Sequence, residues 1–195
     1  MFSGILQSVA TLLTILLFYA MDFALIHRFD RKRQASGSGR SWDFTFLIFA
    51  MVVVLVLQPV FLPILSFHTT AAWGLFIQSA GVIVIVISVA LHVWSRFHLQ
   101  QFYAERVEVQ PEHRVIDTGP YYLMRHPVIT SFFGIASGLF LLNPGITTLA
   151  ALLYTIWDFS RAAQQEEDLL SRTLPGYVEY AGRTPRFLPR LSRVR

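Results

Sequence analysis

The sequence predicts an all-α, polytopic membrane protein with about five transmembrane helices, the last two a tight helical hairpin, and with its chemistry on cytoplasmic segments. Three observations carry this. The chain has 195 residues, 54% hydrophobic and 14% charged, with positive mean hydropathy, a composition outside the soluble range. Its apolar residues gather in four long runs, at 4–26, 44–65, 73–94 and about 128–159. All 16 Lys and Arg fall at 27–40, 96–125 and 161–195, and none on the segments that alternate with these.

About 20 residues cross a hydrocarbon core, so each of the first three runs makes one full span. The first is too long for a signal-peptide core and has no basic stretch before it, so it reads as a retained span. Pro59 and Pro63 each remove a backbone donor and should kink or shorten the second. The last run is too long for one span, and Asn143-Pro144-Gly145 is a turn signal, so it divides into two helices. The second of these should run on past Trp157 into polar sequence. Tyr177 to Tyr180 suggests a short helix, followed by an extended tail.

Positive charge stays inside, which puts the amino terminus out and the carboxyl terminus in the cytoplasm. In a prokaryote this would be the inner membrane. The net charge of +4 then reflects topology, and no basic groove interleaved with stacking aromatics points to nucleic acid. The basic, Ser/Gly-rich loop around Arg31 to Gly39 should lie near anionic lipid headgroups. The absence of cysteine excludes disulfides, thiolate-zinc sites and cysteine nucleophiles.

Chemistry concentrates in two cytoplasmic pieces. In the first, His113-Arg114-Val115-Ile116 precedes Gly119-Pro120-Tyr121 and Arg125-His126-Pro127. Proline suits the first turn of a helix, so a helix starting at Pro127 would offer its unpaired N–H groups to a carboxylate. The second piece runs from Arg161 through Glu166-Glu167-Asp168, then Tyr177-x-x-Tyr180 and Arg186-x-x-Pro189. Neighbours on a helix lie about 100° apart, so the three acids cannot share one partner. Asp22, about one turn from His27 and Arg28, is expected to pair with them or to snorkel. The spacing of His92 and His98 is poor for a metal on one helix face, and no metal site is expected.

In order and spacing, these motifs resemble the isoprenylcysteine carboxyl methyltransferase family, integral-membrane enzymes related to the phospholipid N-methyltransferases. The resemblance covers about residues 103–189. It implies S-adenosylmethionine as cofactor, held by His113, Arg114, Val115, Ile116, Tyr121, His126, Pro127, Val128, Ile129 and Glu166. It also implies a lipophilic or prenylated substrate entering from the bilayer, with carboxyl O-methylation the leading reaction. The family's carboxylate-holding arginine lies four residues before the acid, where this chain has Ala162; Arg161 stands one position further back. Arg161 or Arg125 would hold a carboxylate, whereas an amine acceptor would need Glu167 to take its proton. Residues 1–95 would form a three-span anchor and 96–195 the catalytic region, as one integral domain. The alternatives are a phospholipid or amine N-methyltransferase and a sterol-reductase-like, nicotinamide-dependent membrane oxidoreductase.

Overall fold

A computed structural model describes residues 4–29, 42–67, 71–99 and 115–189. Among these residues the chain is helical, with α1 at Ile5–Phe29, α2 at Trp42–Phe61, α3 at Ala71–Leu99, α4 at Pro120–Leu123, α5 at Pro127–Leu142, α6 at Ile146–Thr173 and α7 at Tyr177–Arg183. A 3-10 turn at Pro63–Leu65 follows α2, and a single β-bridge joins Ser66 to Gly145. The hairpin falls where Asn-Pro-Gly predicts it. Helix α6 continues 16 residues beyond Trp157, and α7 with its extended tail matches the expected short helix.

The burial pattern is that of a protein solvated by lipid. Gln7, Ser8, Thr11, Gln58, Gln78 and Ser88 are buried, while Leu13, Leu17, Phe76, Ile83 and Val86 face outward. Of these inward groups, Gln58 and Gln78 make hydrogen bonds that an acyl chain cannot supply. Helices α1 and α3 are each long and apolar enough to cross a membrane; residues 49–61 and α5 are apolar but shorter.

The tightest packing is α3 against α5, and glycine permits it. Gly134 and Gly138, one turn apart on α5, face α3. A Cβ built on Gly138 would lie 2.5 Å from Ile85 Cγ1 and 2.8 Å from the Gly81 carbonyl. Both contacts are far inside van der Waals range. Gly138→Ala should therefore destabilise the protein by about 1–3 kcal/mol through overpacking. Thermal unfolding in detergent checks this, and an unchanged midpoint would mean that the helices have room to spare.

Polar side chains clamp the adjoining end, at the α5–α6 turn. Pro59 has no N–H for the Leu55 carbonyl one turn back, and Asn143 Nδ2 supplies the missing bond at 3.2 Å. Gln78 Nε2 donates to the carbonyl of Leu142, the last residue of α5, at 3.2 Å. Gln58 donates to Ser66 Oγ at 2.7 Å and accepts from Thr147 Oγ1 at 3.0 Å. The turn after α2 and the α5–α6 hairpin are thus held as one unit. Their orientation also fixes how α6 leaves the apolar layer toward the polar segments.

Candidate active site

The predicted entrance is built as its sequence suggests. Gly119 takes φ +58° and ψ −130°, a backbone that glycine adopts without strain, and a Cβ there would run into the His98 imidazole at the end of α3. This turn starts α4 and buries Tyr121 and Met124. Pro127 then occupies the first turn of α5. The carboxyl-terminal tail lies alongside. Arg125 N–H donates to the Pro185 carbonyl at 2.8 Å and His126 N–H to that of Arg186 at 3.0 Å. Thr130 Oγ1 donates to the Phe187 carbonyl at 3.0 Å. The two amides just before α5 are therefore engaged by the tail, whereas the N–H groups expected to face a ligand carboxylate belong to the first turn of α5 itself.

At the centre stands Glu167, on the polar extension of α6 beyond the apolar stretch ending near Trp157. Its carboxylate accepts from Arg125 Nε at 3.0 Å, His126 Nε2 at 2.9 Å, and both Nε and Nη2 of Arg186. Burial alone would raise the Glu167 carboxyl, but the hydrogen bonds from His126, Arg186 and Arg125 outweigh it and hold the group well below the ordinary carboxylate range. Arg125 reaches further, donating from Nη1 to the carbonyls of Ala181 and Thr184 at 2.6 Å each, and so caps the end of α7. One carboxylate thus binds the α5 entrance, α6 and the tail together.

Glu166 differs. Its Oε2 lies 3.6 Å from His126 Nδ1, and 45% of its side-chain surface is open, against 12% for Glu167. Desolvation raises its carboxyl, partly offset by His126 and reinforced by the neighbouring Glu167. A desolvated acid with accessible surface is suited to lining a recess. Leu170, Leu174, Tyr177 and Tyr180 pack beside this pair, and Val115 packs on them. The Tyr180 hydroxyl donates to the Tyr121 carbonyl at 2.7 Å. Burial, then the charges of Glu167 and Glu166, push the Tyr177 phenol up and keep it protonated.

The structure thus brings together Arg125, His126, Glu166 and Glu167, with Tyr121, Pro127, Val128 and Ile129 buried at the same entrance. Val115 and Ile116 are half-buried, while His113 and Arg114 lie outside the described residues. Arg161 is not gathered in. It is exposed, its guanidinium 5.0 Å over the Trp157 ring, roughly 140° around α6 from Glu166 at 100° per residue. Glu167 is held in its ionised form by two arginines and a hydrogen bond with His126.

Sequence reasoning missed Arg186 as a site residue, although its motif was in view. It also misplaced the partners of Asp22, whose Oδ1 lies 3.1 Å from His92 Nε2 and 4.0 Å from Arg96 Nε. Arg28 sits over Phe97 instead, and His27 stacks on Phe23.

Comparison with known proteins agrees with this architecture. The sequence model of the isoprenylcysteine carboxyl methyltransferase (ICMT) family matches residues 81–172, from mid-α3 to the end of α6. The nickel-cobalt-cadmium resistance protein NccN of Alcaligenes xylosoxydans xylosoxydans is 43% identical over 84 residues, covering 42% of this chain and 38% of that protein. The cobalt-zinc-cadmium resistance protein CzcN of Cupriavidus metallidurans is 34% identical over 83 residues, again covering 42% and 38%. The match therefore spans well under half the length of these curated relatives. The solved eukaryotic intramembrane Ras methyltransferase ICMT superposes with a TM-score of 0.71 at 20% identity, over 95% of this chain and 67% of that one. The resemblance read from the motifs is thus borne out: residues 81–172 match the sequence model of the isoprenylcysteine carboxyl methyltransferase family, and the fold is similar to that of the solved eukaryotic enzyme.

Proposed function

We propose that the chain is an integral-membrane, S-adenosylmethionine-dependent methyltransferase whose acceptor is a lipophilic carboxylate, a prenylcysteine-like compound being the first to try. The observation that carries the reading is the Glu166–Glu167 pair bound to His126 and two arginines at the polar end of the apolar helices. The donor and acceptor set fits the cofactor. Glu166 has accessible acceptor surface for an amino group or ribose hydroxyls, and Arg186 is 37% exposed and can also face an anion. When bound, the cofactor supplies a methyl group that is already electrophilic.

The protein then has to align two ligands and balance charge, which the packed tail and the arginines are placed to do. A carboxylate acceptor is ionised at neutral pH and needs a cation but no base. Glu167, held ionised by its partners, would be a poor proton acceptor, and this favours oxygen over nitrogen as the methylated atom. Substrate would enter sideways from the bilayer, the polar segments being short.

Binding of S-adenosylhomocysteine, measured by calorimetry, tests the reading. Loss of a buried hydrogen-bonding partner costs about 1–3 kcal/mol, so Glu166→Ala and His126→Ala should each weaken binding about 5- to 150-fold. Unchanged affinity in both variants would sink the assignment. The five-span arrangement, with both termini assigned as above, is part of the proposal. The chain has no cysteine, so single cysteines at Ser36, Ile146 and Ser192 can be labelled cleanly. Ser36 and Ser192 should react only from the cytoplasm and Ile146 only from outside; labelling of Ser192 from outside would reverse the topology.

A further inference from the structure

A buried polar chain crosses three helices away from the site just described. His92 on α3 and Ser131 on α5 are fully buried, and Asp22 on α1 is half-buried, with 17% of its side chain exposed. His92 Nε2 lies 3.1 Å from Asp22 Oδ1, and His92 Nδ1 lies 3.0 Å from Ser131 Oγ. Ser131 Oγ in turn lies 2.5 Å from the Val128 carbonyl in the first turn of α5. Phe18 and Phe132 close over the imidazole edge-to-face, at 5.1 and 5.3 Å between centroids. Such groups are costly in an apolar layer and call for a role.

A nucleophilic role for this Asp-His-Ser set does not fit. Ser131 is sealed from any substrate, and its hydroxyl hydrogen has a carbonyl to bond. What the chain does reach is the α5 entrance. That helix has no side-chain cap at its amino end. Its first turn is held on one side by the carboxyl-terminal tail and on the other by Ser131. We propose that Asp22, His92 and Ser131 are positioning residues, a relay that anchors the first turn of α5 to α1 through α3 and so sets the Arg125–Ile129 entrance.

The hydrogen-bond inventory makes the relay testable. Ser131 has one hydroxyl hydrogen and two polar neighbours within reach, the Val128 carbonyl and His92 Nδ1. The carbonyl can only accept, so the hydrogen lies on Val128 and Nδ1 donates to Ser131 Oγ. A glutamine at position 92 carries an amide donor that can copy the bond to Ser131; a leucine fills space and copies nothing.

The entrance matters to ligand binding only if the methyltransferase reading holds, so the relay is tested first on ligand-free protein. Hydrogen–deuterium exchange of the full chain in lipid nanodiscs reports on α5, and calorimetry with S-adenosylhomocysteine reports on the site. Ser131→Ala and His92→Leu should speed exchange in residues 127–135 about tenfold and weaken binding by about as much, while His92→Gln returns both to within about threefold of wild type. Exchange unchanged in Ser131→Ala and His92→Leu overturns the relay. So does acceleration spread evenly over all helices, or a glutamine as damaging as leucine. If His92→Leu does not fold, Ser131→Ala decides alone, since it removes one hydroxyl. A wild-type protein that binds no S-adenosylhomocysteine, yet shows the predicted exchange pattern, refutes the methyltransferase reading and leaves the relay standing.

Discussion

Glu167→Gln is expected to lower folding stability by about 2–4 kcal/mol at pH 7. The variant leaves Arg125, His126 and Arg186 around a neutral amide, and bonds to a charged group contribute about 1.5–3 kcal/mol each where water is excluded. The sum is discounted because Arg186 is 37% exposed and screened by solvent. The pH dependence has a definite sign. Glu167 is held below its ordinary value, so its stabilisation is present in full above the unfolded-state carboxylate range. It is lost progressively as pH falls from that range toward the folded value. Thermal melts of the wild type should therefore fall in acid, and those of Glu167→Gln should fall less. Glu166 has the opposite sign, since its raised carboxyl weakens the fold as pH rises through the folded value. Glu166→Gln should then be neutral or slightly stabilising at pH 7. Identical acid limbs for wild type and Glu167→Gln would show that the charge knot does not hold the site together.

The second large effect separates two arginines. If Arg186 holds the acceptor carboxylate or the cofactor's, Arg186→Ala should reduce turnover on a prenylcysteine analogue on the order of 100-fold, as loss of a fork-like ion pair does. Arg186→Lys keeps the charge without the planar fork and should recover only part of this. Arg161→Ala should retain activity to within about threefold, because its guanidinium rests on Trp157 at the far side of α6. The reverse order, with Arg161→Ala inactive and Arg186→Ala normal, would show that Arg161 turns inward during the reaction and that the tail is only a strap.

Several elements were legible because their causes are local. The Asn143-Pro144-Gly145 hairpin, the start of α5 at Pro127 and the extension of α6 beyond Trp157 follow from turn chemistry, a missing donor and hydropathy over a few residues. The helical phase that turns Arg161 away from Glu166 was also available, since 100° per residue needs no coordinates. The Gly134-to-Gly138 spacing was visible too, yet which helix it would admit was not.

By itself, the sequence determined the helices, the hairpin and the family motifs, all encoded by residues within a turn or two of one another. Only the tertiary structure decided the partners. Asp22 stands five and six residues from His27 and Arg28 but bonds to His92, 70 residues away. Pro59 announces an unsatisfied carbonyl at Leu55, but its donor comes from Asn143, 88 residues on. Arg186 joins Glu167 because the tail pairs its carbonyls with the amides of Arg125 and His126. In an apolar layer a polar group must find some partner, and sequence shows the need; which partner it finds depends on how the helices pack.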